Sequence, residues 1–122
     1  QYLIAPFLSL VNTSFTIEAW INFNTYSTQQ HHSIFGVCPV QLTDRCVFAS
    51  ICPNGSFNYL YLGFYQDDCR GSSNIPVNSW THVAFVFDLT TLTQSLYVDG
   101  VLNNNCTASS PILPAASGNN MT

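Results

Sequence analysis

Apolar residues alternate in short runs, broken by turn residues roughly every ten positions, which is the pattern of antiparallel strands and not of helices. In the string Phe15-Thr-Ile-Glu-Ala-Trp-Ile21, residues Phe15, Ile17, Ala19 and Ile21 share one face. Asn58-Tyr-Leu-Tyr-Leu-Gly-Phe-Tyr65 places Leu60, Leu62 and Phe64 on one side and Tyr59, Tyr61 and Tyr65 on the other. His82-Val-Ala-Phe-Val-Phe-Asp88 is apolar on both sides, as a strand central to a two-layer fold should be. A further strand is expected over residues 94–98, and shorter ones over 34–37 and 47–51, flanking a cysteine-rich loop. Asn54-Gly55 and Asp99-Gly100 are tight-turn signals, since both positions of such turns favour residues tolerant of positive φ. The first ten residues hold enough apolar side chains for one strand before or after Pro6. Residues 103–122 lose the pattern in Asn-Asn-Asn, Ser-Ser-Pro and Ala-Ala-Ser-Gly, and read as a linker or extended arm. The expected organisation is one all-β domain over residues 1–102, an antiparallel β-sandwich, followed by that tail.

Composition narrows the partners. The chain has 122 residues, of which 47% are hydrophobic and only 7% charged, against about 25% in an average domain. Arg45 and Arg70 are the only basic side chains besides three histidines, and the net charge is −4. No basic patch is available to neutralise phosphates, which excludes nucleic acid and anionic membrane surfaces as partners. No apolar run reaches the length of a membrane-spanning helix. Opening on Gln1 without a leader, the chain reads as processed or as part of something longer.

Asn, Ser and Thr stand where charge is missing, and together supply 36 of the 122 residues. Asn12, Asn54, Asn105 and Asn120 each head an N-x-Ser/Thr sequon, so N-linked glycans are expected to solvate the surface. The five cysteines form no C-x-x-C and have no histidine at zinc-finger spacing, so disulfides in an oxidising, extracellular setting are expected instead of zinc. Two bridges can be drawn in many ways. Pairing Cys38 with Cys46 and Cys52 with Cys69 closes short loops between strands and leaves Cys106 spare.

Three strings together identify a family resemblance: Phe15-Thr-Ile-Glu-Ala-Trp-Ile21, Trp80-Thr-His-Val-Ala-Phe-Val-Phe-Asp88 and Leu96-Tyr-Val-Asp-Gly100. In this order and at these separations they resemble the laminin-G-like, concanavalin A-like jelly-roll family of lectins and glucanases. The resemblance implies a jelly-roll sandwich. It also implies closing strands after Leu102, which the pattern of residues 103–122 does not supply, so either the tail closes the fold in an unusual way or a strand donated by a neighbour completes it.

Candidate sites follow from residue chemistry and the resemblance. Glucanases of this fold work with paired carboxylates, whereas Glu18 is the only glutamate and has no acidic neighbour on its strand face, so no catalysis is expected. No Gly-x-Ser-x-Gly accompanies His31, His32 and His82. His82 is expected to hydrogen-bond inside the sandwich, His31 and His32 to form a polar loop tip, and Trp20 and Trp80 to sit in the core. Asp67 and Asp68 follow a strand directly, where the resemblance implies calcium at the rim, and they are the expected ligands for it. Tyr59, Tyr61 and Tyr65 offer an aromatic face for stacking on sugar rings.

A low-charge, apolar, glycosylated and unclosed sandwich points first to a non-catalytic extracellular module for adhesion or assembly with copies of itself or neighbouring repeats, in a filament or array. The alternative is a lectin-like carbohydrate-binding domain, with or without calcium.

Overall fold

A computed structural model of the chain describes residues 3–6, 8–24, 31–55 and 57–115. Eight strands are formed: β1 (Phe15–Ile21), β2 (His32–Val37), β3 (Val47–Asn54), β4 (Phe57–Gly63), β5 (Asp68–Arg70), β6 (Thr81–Asp88), β7 (Thr93–Val98) and β8 (Val101–Thr107). They make two antiparallel four-stranded sheets of order β1-β6-β7-β8 and β2-β3-β4-β5, so the all-β sandwich expected from the alternation is the fold. No helix among the described residues is long and apolar enough to cross a membrane.

The core lies where the apolar faces of the two sheets meet. Val83, Phe85, Phe87 and Leu96 point inward from the first sheet and Val47, Ala49, Ile51, Leu60 and Leu62 from the second, all essentially inaccessible to water. Phe64 stands edge-on to Phe87 at a ring separation of 5.1 Å and lies 6.1 Å from Phe15, which gives the core its aromatic centre. The Asp99-Gly100 turn forms as its sequence requires, whereas Asn54 stays in β3 and pairs with Phe57, so the other turn opens one residue later, at Gly55 with φ +67°. Val98 pairs with Val101 across Asp99 and Gly100, at φ values of 49° and 79°.

The tail departs from the sequence expectation. Residues 103–107 belong to β8, paired with β7, and Ala108, Ile112 and Ala115 beyond it are buried, so the boundary at Leu102 falls inside a strand. Asparagine is a poor strand former, but here side chains compensate. Asn103 Oδ1 accepts from the Ser72 amide at 2.8 Å, and Asn104 Nδ2 donates to the Arg70 carbonyl at 2.7 Å, lacing β8 to the opposite sheet. The tail then returns along the rim, where the Leu113 amide donates to the Asp44 carbonyl and the Asn12 amide to that of Ile112. β8 is thus the last strand among the described residues, and residues 108–115 pack along the rim without forming the further closing strands that the resemblance implies. At the other terminus no strand forms among residues 3–6 and 8–10, and Leu3 and Ile4 are almost fully exposed.

The disulfides are Cys38–Cys46, as spacing suggested, and Cys69–Cys106 in place of Cys52–Cys69. Parity explains the difference. Cys69 points into the sandwich from β5 and meets Cys106 of β8, whereas Cys52 opposes Tyr59 on the other side of the second sheet and is a buried free thiol.

Trp20 and Trp80, expected in the core, are 65% and 66% exposed. With Phe15, Ile17, Ala19 and Ile21 turned inward, alternation leaves Trp20 outside. His82 is likewise on the outer face, 3.8 Å from the Glu18 carboxylate, instead of bonded within the sandwich.

Candidate binding face

The outer face of the second sheet is where aromatic and polar side chains converge. Alternation along β4 turns Phe57, Tyr59 and Tyr61 outward while Asn58, Leu60 and Leu62 are fully buried. Register then sets their neighbours: Tyr59 opposes Cys52, Tyr61 opposes Ser50 on one side and Arg70 on the other, and Gly63 lies between Phe48 and Asp68. The Arg70 guanidinium stacks over the Tyr59 ring, 5.7 Å from its centroid, and the Phe57 and Tyr59 rings are 6.4 Å apart.

Tyr61 is held on several sides. A Cβ built on Gly63 would fall 2.5 Å from its ring, so the ring lies over a space that only glycine leaves open. His31 stands edge-on to it at 5.2 Å, and His31 Nδ1 is in turn 2.6 Å from Cys52 Sγ. Burial, with the Asp68 carboxylate nearby, pushes the Tyr61 hydroxyl above its ordinary value and keeps it a neutral O–H donor. Burial likewise pushes the Cys52 thiol up to about 12, so at neutral pH it is an uncharged prop for His31 and not a nucleophile.

Such a face offers ring planes for the C–H surface of a sugar, a guanidinium and a phenol as donors, and a carboxylate as acceptor, the kinds of group that pair with vicinal hydroxyls.

Tyr65 does not belong to it. β4 ends at Gly63, and Tyr65 and Gln66, both with positive φ near 65°, turn the chain toward β5 and take Tyr65 off the row. Phe57 stands at the other end instead. Asp68 joins the tyrosines, whereas Asp67 turns to Ser109, accepting from its amide at 3.0 Å and its hydroxyl at 2.9 Å. Asp67 also neighbours Asp44, a carboxyl only 5% exposed. Burial first, then the adjacent Asp67, raise Asp44 to about 7, with Arg45 offsetting part of the rise. The two expected calcium ligands thus serve different partners, and no three His, Cys, Asp or Glu side chains gather as a metal site among the described residues.

Sequence reasoning missed Phe57, Arg70, His31, Cys52 and Gly63. The Asp68-Cys69-Arg70 string carried a usable signal, because a cysteine buried on β5 forces both charged neighbours outward. His31 and His32 are no shared loop tip: His32 begins β2 opposite Ile51, beside the Phe23 ring, and its Nε2 is buried without a partner among the described residues. Of the sequons, Asn12, Asn54 and Asn105 are exposed, and Asn120 lies outside the described residues. An open notch at the rim, lined by Leu10, Val37, Val47 and Ile112, lies apart from the tyrosine face and is almost wholly apolar.

A family model of the concanavalin A-like lectin/glucanases superfamily matches residues 1–122. No curated protein matches the chain. Among solved structures, a candidate carbohydrate-binding protein from Bacteroides ovatus is 24% identical at a TM-score of 0.64, over 80% of this chain and 27% of its own. Domain 4 of AbnA, a GH43 extracellular arabinanase from Geobacillus stearothermophilus, in complex with arabinotriose, is 22% identical at a TM-score of 0.60. That match covers 93% of this chain and 51% of the other. The chain thus spans about a quarter and about half of these two structures, and the likeness extends to the fold.

Proposed function

We propose that this chain, which belongs to the concanavalin A-like lectin/glucanases superfamily, is a non-catalytic carbohydrate-binding module whose site is the tyrosine face of the second sheet. The observation that carries the reading is the placement of Tyr59, Tyr61, Asp68 and Arg70 on one face, with the Tyr61 ring propped by His31 over Gly63. Pre-positioned rings lose little entropy on binding, so a weakly held neutral sugar gains most from them. Glu18, the only glutamate, lies on the opposite sheet with the His82 ring 3.8 Å from its carboxylate and no second acidic side chain beside it on its strand face, which favours binding without hydrolysis. Two disulfides and three exposed sequons favour an extracellular setting. These preferences place the lectin-like alternative ahead of the adhesion module. Self-assembly is a second reading, favoured by the exposed Leu3 and Ile4 and by the unpaired outer edge of β1.

Titration calorimetry with arabinotriose and xylotetraose tests the proposal. Saturable binding that weakens about tenfold in both Tyr61→Ala and Arg70→Ala, with the fold intact by circular dichroism, is expected; tenfold corresponds to ~1.4 kcal/mol. Binding to neither sugar, or binding that both variants leave unchanged, overturns it.

A further inference from the structure

The outer face of the first sheet carries a second set of aromatic and polar groups that the tyrosine face does not use. Alternation turns Glu18 and Trp20 outward from β1, His82 and Ala84 from β6, and Tyr97 from β7. Register aligns Trp20 with His82, and Glu18 with Ala84, Tyr97 and Leu102 across all four strands. Trp80 precedes β6 by one residue and shares the parity of His82. Both tryptophans of the chain are about two-thirds exposed, Trp20 from within this face. Large aromatics are normally well buried.

The face is ordered. The Trp20 ring stands edge-on to His82 at 5.3 Å, and His82 Nε2 is 3.8 Å from Glu18 Oε1. The His82 amide donates to Asp99 Oδ1 at 2.9 Å, which fixes the strand beneath. Ala84, only 8% exposed, forms a low floor between Glu18 and Tyr97. The result is an open face with an indole and an imidazole in one row, and a carboxylate, the low Ala84 and a phenol in the next.

We propose that this face is a second carbohydrate site, for an extended, neutral, β-linked pyranose chain. Its occupant follows from its chemistry. A protein partner that dried the face would bury Glu18 against apolar surface, at the cost of desolvating a charge. Sugar hydroxyls would instead satisfy Glu18 and His82 while the C–H face of the ring covers Trp20. A polyanion is disfavoured by the net charge of −4 and by Glu18 itself. A flat sheet surface suits a ribbon-like chain better than a branched one. The site is separate from the tyrosine face, since the two lie on opposite outer surfaces of the sandwich, and together they would let one module bridge two glycan chains.

Trp20 stands on this face, so its indole emission reports occupancy there. The intact chain is titrated with cellotetraose while tryptophan emission is followed. The expected result is a saturable change that survives Tyr61→Ala, weakens about tenfold in Trp20→Ala and weakens in Glu18→Gln, which keeps both fluorophores and the shape of the side chain. Three results overturn the proposal: no saturable change in the native chain; a change that Tyr61→Ala abolishes, which would mean a signal relayed from the other sheet; or an emission shift driven by protein concentration without sugar, which would make the face an interface between copies. The first leaves the tyrosine-face reading standing if calorimetry still detects xylotetraose.

Discussion

Replacing Cys69 and Cys106 together by alanine removes the covalent tie between β5 of one sheet and β8 of the other. The two cysteines are 37 residues apart, and in the chain-entropy treatment a loop of that size constrains the unfolded state by about 4 kcal/mol. The Cys38–Cys46 bridge, of separation 8, comes out at about 2.5 kcal/mol by the same relation. Both double variants delete two sulfur atoms, so comparing them cancels much of the packing loss and leaves the loop difference of about 1.5 kcal/mol. For a domain of 122 residues, 4 kcal/mol corresponds to a fall in Tm of roughly 15 °C. Urea unfolding of the native chain and the two variants, followed by circular dichroism, measures the difference directly. Cys52→Ala serves as the control: it breaks no bridge and should cost only a small cavity, on the order of 1 kcal/mol. The reasoning fails if the Cys69/Cys106 variant is no less stable than the Cys38/Cys46 variant, or if Cys52→Ala costs as much as either.

Other outcomes follow from single groups. Asp44 keeps its proton in the fold up to about pH 7, whereas an unfolded aspartate releases it near 4, so the fold binds the extra proton and its stability falls as pH rises between these values. Asp44→Asn should flatten that slope and gain at most about 4 kcal/mol above pH 7, visible as a Tm difference from the native chain that grows from pH 4 to pH 8; a difference independent of pH would refute the assignment. Gly63→Ala should displace the Tyr61 ring, because the ring and not backbone occupies the space of the new Cβ, so oligosaccharide affinity drops several-fold while Tm moves little. A loss of stability without loss of affinity would show that the ring is not where binding occurs. Chelation should leave sugar binding at the tyrosine face unchanged in calorimetry, since its contacts are all side chains of this chain.

How much could be read from the sequence depended on whether a feature was local. Period-two alternation is set by the strand itself, so β1 was found to the residue, and β4, β6 and β7 to within one or two at each end. The Tyr59 and Tyr61 row emerged for the same reason. Tyr65 did not follow, because alternation cannot tell where a strand stops, and two consecutive left-handed residues after Phe64 stop this one. Trp20 was mispredicted despite a clear pattern, because large aromatics are usually buried and here parity overrides that preference.

What remained was decided only by tertiary contacts. β8 has a poor strand sequence and exists because β7 offers it a partner and β5 and the loop after it bond its asparagines. The disulfide partner of Cys69 depends on which sheet stacks above β5, and the tyrosine face needs Arg70, Asp68 and His31 brought to β4 from both sides. Sequence determined which side of each strand a residue would occupy, since that is a matter of backbone geometry alone. Which residues share a face across strands was set by register and sheet order, which depend on how distant segments pack.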